Sequence, residues 1–262
     1  MERNNVRVSG TTGAPTLVLA HGFGCDQQMW RFVAPHFEET HRVVLFDHVG
    51  AGAADPSAFD STRHARLEGY AQDVVEILDA LGGEPVVFVG HSVSAMIGVL
   101  AARSRPDLVE RLVLVGPSPR YIDDGDYRGG FTREEIEELL ETMDDNYLGW
   151  SAHIAPVIMG RPDRPELGEE LTASFCRTDP DLARSFARTT FLSDNRADLP
   201  EVDTPALVVQ CREDVIAPMQ VGEYVRDHLP RSEFTVLDTV GHCPNLSAPD
   251  QLVAAMKAYL AA

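Results

Sequence analysis

Unbroken apolar runs at residues 16–20, 42–46, 85–89, 112–115 and 206–209 punctuate the chain. Runs of that length without polar alternation mark strands covered on both faces, as in a parallel sheet flanked by helices. Between them, apolar positions recur at helical spacing over 29–37, 70–81, 94–105, 219–228 and 250–260. A further short run at 234–237 reads as one more strand. Strand and helix thus alternate, which predicts an α/β fold with a mostly parallel, doubly wound sheet. The last helix is expected to open at Ser247-Ala248-Pro249-Asp250, a capping hydroxyl followed by an early proline and an acid.

The alternation stops between about 119 and 198, where the pattern is helical and broken by proline and glycine. The segment 119–195 is therefore expected to be a helical lid inserted into a core formed by 1–118 and 196–262. Inside it, Ile136, Leu139, Leu140 and Met143 share one helical face, while Glu134, Glu135, Glu137, Glu138 and Glu141 occupy the rest. Carboxylates so arranged face water, so this run is read as a solvated surface and not as a metal or partner site.

Composition narrows the partners. The 262 residues carry 22 Lys+Arg against 41 Asp+Glu, a formal charge of −19 that repels nucleic acid and anionic lipid. Residues 1–5 are polar and open no signal-peptide pattern, and no apolar run approaches the ~20 residues that span a bilayer, so a cytoplasmic protein is expected. Cys25, Cys176, Cys211 and Cys243 form no Cys-x-x-Cys pair and no cluster of metal-ligand spacing. Neither a metal nor a cofactor is expected.

The chemistry is concentrated where the run 87–91 meets a small-residue helix at Ser92. In a nucleophile elbow, the serine stands on a turn so sharp that its Oγ is exposed above the strand end. The N–H of the following residue, Val93, then helps bind an oxyanion. Gly90 and Ser94 supply the small neighbours that the close approach of strand and helix requires, although Ser94 replaces the more usual glycine. The alternative is a helix merely capped by Ser92.

A serine so placed needs a base and an orienting acid, and in proteins with this elbow the chain order is Ser, Asp or Glu, His. Asp214 follows the run 206–209 and His242 follows the run 234–237, each just past the end of a strand, where ligands gather in open parallel sheets. Asp214 is favoured over its neighbour Glu213 by the Val-Ile-Ala-Pro stretch that follows it. Of the nine histidines, His91 adjoins the serine but diverges from it at an elbow, and is read as structural. His21-Gly22-Phe23-Gly24 directly follows the first run, and the Phe23 N–H is the expected second oxyanion donor. Cys243, beside His242, is read as packing. The Gly50-Ala51-Gly52 stretch lacks the third glycine of a dinucleotide fingerprint and is read as a loop. A serine in place of an aspartate argues against dehalogenase or epoxide hydrolase chemistry.

With those residues assembled, the chain resembles the α/β-hydrolase superfamily. More narrowly, it is similar to the group that holds the bacterial stress-signalling protein RsbQ and the plant strigolactone and karrikin receptors. The resemblance rests on His21-Gly-Phe-Gly-Cys-Asp-Gln27, Arg31-Phe-Val33, Gly90-His-Ser-Val-Ser-Ala-Met96, Val115-Gly-Pro-Ser-Pro119, Gly129-Gly-Phe131, Asn146-Tyr147, Trp150, Ser193-Asp194 and Gly241-His-Cys-Pro244. It makes Ser94 a group feature. It implies a serine hydrolase acting on a small hydrophobic ester, lactone or butenolide-like compound, with Ser92, Asp214 and His242 as its triad. It also implies a lid of four helices over an apolar pocket lined by Phe23, Phe131, Trp150 and Phe191. Packing between lid and core is the other account of those aromatics. Ile154 stands where the plant receptors carry an aromatic. The likeness to RsbQ further implies a signalling role, with a separate sensor-bearing phosphatase as partner.

Overall fold

The computed structural model describes residues 1–261. A seven-stranded sheet runs through it in the order β1-β3-β2-β4-β5-β6-β7. Its strands are β1 (Arg7–Gly10), β2 (Thr16–Ala20), β3 (Arg42–Phe46), β4 (Val86–His91), β5 (Val109–Val115), β6 (Ala206–Glu213) and β7 (Ser232–Val240). All neighbours pair in parallel except β1, which runs antiparallel on β3 at one edge. The expected α/β architecture is therefore observed, with every expected strand present. β1 was not anticipated, because its four residues are exposed and include Arg7, Ser9 and Gly10, so no apolar run marks it.

The helices are α1 (Leu67–Ala80), α2 (Val93–Ser104), α3 (Arg133–Asp145), α4 (Tyr147–Met159), α5 (Pro165–Arg177), α6 (Pro180–Phe191), α7 (Met219–His228), α8 (Pro244–Ser247) and α9 (Pro249–Leu260). Side-chain alternation along each strand feeds two cores. Leu17, Leu19, Val87, Val89, Val113 and Val115 face one side, where Trp30, Phe37, α9 and the inserted helices cover them. Val18, Ala20, Val86, Phe88, Leu112 and Leu114 face the other, under α1, α2 and α7. Both faces are dry, which is why the strands read as continuous apolar runs.

Helices α3–α6 all lie between β5 and β6. The glutamate-rich stretch forms α3 as expected, opened by a reciprocal cap in which Thr132 Oγ1 accepts from the Glu135 N–H and the Glu135 carboxylate accepts from the Thr132 N–H. Ile136, Leu140 and Met143 are its buried residues.

Two expectations are corrected. Residues 29–37 form no α-helix but two short 3₁₀ turns, Gln27–Trp30 and Ala34–His36. The Asp26 side chain caps the first, and Pro35, which lacks an N–H, sits within the second. Met29, Trp30, Val33 and Phe37 are buried all the same, because two successive turns repeat at nearly the helical spacing. Ser247 is not the cap of α9: it ends α8, and its Oγ donates back to the Cys243 carbonyl. The expected last helix is present as α9, but it opens at Pro249 after the separate four-residue α8.

Candidate active site

β4 runs into α2 through Ser92, whose backbone is held at φ 58, ψ −124. Among the described residues, only Asn5 shares a positive φ without being glycine. The Ser92 side chain makes no cap bond to α2, which removes the simple capping account. A Cβ on Gly90 would stand 2.2 Å from the Ser94 carbonyl oxygen, so only glycine lets strand and helix approach this closely.

Ser92 Oγ lies 2.7 Å from His242 Nε2, and His242 Nδ1 lies 2.7 Å from Asp214 Oδ2. The other Asp214 oxygen accepts from the Ile216 and Ala217 N–H groups, at 2.8 and 3.1 Å. The carboxylate is thus gripped on both sides, while Glu213 is exposed and contributes only its backbone carbonyl, which accepts from the Gly241 N–H. Of the two acidic neighbours, Asp214 is the one that reaches the imidazole. The His242 backbone is pinned as well: its N–H donates to the Ile158 carbonyl of α4 and its carbonyl accepts from His91 Nε2. Gly116 makes room beneath the ring, where a Cβ would come within 3.2 Å of His242 Cε1.

Over Ser92 lies a narrow apolar cavity of about 30 Å³ lined by Phe23, Ile158, Leu171, Phe175, Phe191 and Ile216, with Tyr121 and Thr190 supplying its hydroxyls. Cys25, Cys243 and His91 complete the wall beside Ser92 and His242. That space holds about one or two waters, so an ester enters only when these rings move apart. Wider grooves of about 530 and 610 Å³ lie elsewhere on the surface and touch none of Ser92, Asp214 and His242. Phe23 and Phe191 stand in the cavity wall as expected. Trp150 is one layer back, stacked on Phe175 with ring centroids 5.7 Å apart, and Phe131 is not in the lining but bridges by backbone to Ile122. Sequence reasoning missed Tyr121, Phe175 and Thr190. Tyr121 had a weak signal, since it lies in the segment that leaves the end of β5, six residues past Val115.

The expected oxyanion donors are also in suitable surroundings. Among the described residues, neither the Phe23 nor the Val93 N–H donates to another backbone carbonyl. The loop carrying Phe23 is anchored by its carbonyls. Gly22 C=O accepts from His21 Nδ1 at 2.8 Å and from the Cys25 N–H at 3.3 Å. In a trans peptide the N–H opposes the C=O, so the Phe23 N–H points away from that anchor. A Cβ on Gly22 would lie 3.2 Å from Ser92 Cβ, so the loop passes directly over the serine. His21 Nε2 accepts from the His48 N–H. Ser94 Oγ donates to the His21 carbonyl and accepts from His48 Nε2. The serine that departs from the usual glycine is therefore the post on which the loop stands.

Burial shapes the titration of these groups. It holds His21 and His48 below the ordinary histidine range and drives His91 down to about 3, a shift that the neighbouring His242 reinforces. All three are neutral when folded. The unfolded chain, with histidines near 6.5, binds more protons below that pH, so stability falls as pH drops from about 6.5 toward 3. We expect the unfolding free energy from urea titrations to decline between pH 7 and pH 5, and the midpoint with it, by at most about 1.4 kcal/mol per pH unit for each histidine. His91→Gln should flatten the decline. A midpoint that is constant over that range would contradict the neutral buried state. Burial also raises the thiols of Cys25, Cys211 and Cys243, which keeps Cys243 protonated beside His242 and makes it a poor nucleophile.

Among the described residues, no group of three His, Cys, Asp or Glu side chains is placed to hold a metal ion, and no helix is long and apolar enough to cross a membrane. What Ser92, His242 and Asp214 can do together is transfer a proton from a hydroxyl to an imidazole while the hydroxyl oxygen attacks a carbonyl.

The chain as a whole is similar to known proteins. A model described as the alpha/beta hydrolase family matches residues 17–255. A strigolactone esterase of Arabidopsis thaliana is 44% identical over 254 residues, covering 96% of this chain and 94% of its own. A karrikin insensitive 2 receptor of Petunia hybrida is 42% identical over 253 residues, covering 96% and 93%. Among solved structures, a hydrolase from Oleispira antarctica superposes with a TM-score of 0.96 at 41% identity, covering 99% of this chain and 95% of that one.

Proposed function

We propose that this chain, which belongs to the alpha/beta hydrolase family, is a serine hydrolase that cleaves a small apolar ester, lactone or butenolide-like compound. One observation carries the proposal: Ser92 Oγ, the His242 ring and the Asp214 carboxylate form a continuous hydrogen-bonded chain, with 2.7 Å at each link, at the floor of an apolar cavity. Ser92 Oγ attacks the carbonyl carbon as His242 Nε2 takes its proton, and Asp214 stabilises the imidazolium. The oxyanion is received by the Phe23 and Val93 N–H groups. The imidazolium then protonates the departing alkoxide, which for a lactone stays tethered to the acyl group, and water activated by His242 releases the acid. The helices between 119 and 195 act as a lid whose rings, Phe175 and Phe191 with Phe23 opposite, exclude water from the acyl-enzyme.

The test is a series of p-nitrophenyl esters of rising acyl length with a butenolide probe, followed by mass analysis of the intact protein. Short acyl chains should turn over fastest, because the cavity is narrow, and an acyl adduct should map to Ser92. No turnover and no adduct with any probe would refute the proposal.

A second reading is a signalling protein that binds or slowly cleaves such a ligand and then engages a partner, for which the resemblance to RsbQ implies a phosphatase. The backbone bond from the His242 N–H to the Ile158 carbonyl favours it, since it ties the residue that carries the base to helix α4 of the inserted segment. The relative named as a receptor supports the same reading. Rapid multiple turnover without ligand-dependent binding of such a phosphatase supports the enzyme alone; slow turnover with ligand-gated binding supports the signal.

A further inference from the structure

We propose that the Thr190 hydroxyl is a specificity-determining group, donating a hydrogen bond to a second oxygen in the acyl part of the substrate, such as a ketone or a further ester oxygen. The inference rests on the serine hydrolase reading and narrows its substrate class.

Thr190 lies near the end of α6, lines the cavity over Ser92 and is 1% exposed. Its Oγ1 has no hydrogen-bond partner among the described residues. A buried hydroxyl without a partner costs about 1–3 kcal/mol, and a helical threonine has an easy local remedy, donation to the carbonyl one turn earlier. Other hydroxyls on the inserted helices take it: Thr142 donates to Glu138 O, Ser151 to Tyr147 O and Thr172 to Gly168 O. Thr189, next to Thr190, donates across to the His64 carbonyl. Thr190 does neither. The turn that carries it is nevertheless well fixed, since its own carbonyl accepts from Ser193 Oγ at 2.8 Å. The hydroxyl is therefore carried on a fixed turn and left unspent in a mostly apolar wall, in which Tyr121 supplies the other hydroxyl besides Ser92.

The acyl part of the substrate stays on Ser92 until water releases it, so it is the part that the closed cavity holds longest. A carbonyl or ether oxygen on it would accept from Thr190 and leave no donor of its own unsatisfied in the apolar wall. A purely hydrocarbon acyl group would leave the hydroxyl bare. A site built to bond a substrate polar group discriminates against the analogue lacking it.

The experiment compares the p-nitrophenyl esters of 4-oxopentanoic and 4-methylpentanoic acids, nearly equal in shape and differing in one oxygen. The wild-type protein should favour the oxo ester by about tenfold in kcat/KM. Thr190→Val, which keeps the shape, should abolish that preference by bringing kcat/KM for the oxo ester down to that for the methyl ester, and Thr190→Ser should retain it. The melting temperature of Thr190→Val should equal or exceed that of wild type, because an unpartnered hydroxyl has been removed. A preference that persists in Thr190→Val, an equal loss on both esters, or a lowered melting temperature would overturn the assignment. Equal wild-type rates on the two esters would overturn it while leaving the hydrolase reading intact. Failure of wild type on both esters would remove the two readings together.

Discussion

Replacing Ser92 with alanine should reduce ester hydrolysis by roughly 10⁴- to 10⁶-fold in kcat, with little change in thermal stability. The size follows from the mechanism: without Oγ there is no acyl-enzyme, and only the oxyanion donors and binding remain, which in such sites retain a small residue of catalysis over water. The stability claim follows from the surroundings. Ser92 loses one hydrogen bond to His242, a net change of about 1 kcal/mol. Its left-handed backbone, φ 58, is as strained for alanine as for serine. A kinetic assay on freshly purified protein, paired with a thermal melt, checks both halves. Activity within tenfold of wild type would remove Ser92 from its role, and a collapsed melt would show that the hydroxyl holds the elbow together.

Asp214→Asn should lower kcat by roughly 10⁴-fold, and the hydrogen bonds around Asp214 explain why. One oxygen of the side chain accepts from the Ile216 and Ala217 N–H groups, and the other faces His242 Nδ1. An asparagine has one oxygen and one NH₂. Keeping the oxygen on the two N–H groups turns the NH₂ toward Nδ1, which then becomes the acceptor. The ring proton moves to Nε2, the nitrogen that must take the proton of Ser92. The imidazole stays in place in the wrong tautomer, so kcat should fall far more than KM rises. Glu213→Gln serves as the control and should be near neutral, because its side chain is exposed. The reverse outcome, a crippled Glu213→Gln beside an active Asp214→Asn, would exchange the two assignments.

The parts that were legible and those that were not differ for physical reasons. Strands β2 to β6 announced themselves because both faces are buried, so neither face could be polar. β1 is an exposed edge strand of four residues and carries no such mark. The span 29–37 misled because apolar residues three and four apart are buried equally well by a helix and by two 3₁₀ turns separated by a short step. That Ser92, Asp214 and His242 lie together was readable because each sits just past a strand end, and parallel strands bring their ends to one rim. The aromatics of the inserted helices were not readable in the same way. Phe191 reaches the cavity and Trp150 stands behind Phe175, a distinction set by how α4, α5 and α6 pack on one another.

Local order along the chain determined the alternating architecture, the inserted helical region and the strand ends beside which Ser92, Asp214 and His242 stand, because period, turn chemistry and strand ends are properties of neighbouring residues. Only the tertiary structure decided which acid reaches the imidazole, that Ser94 supports the His21 loop through His48, and that Thr190 keeps its hydroxyl free. Those outcomes depend on contacts between residues tens of positions apart, whose distances and directions are set by packing and leave no periodic trace in the sequence.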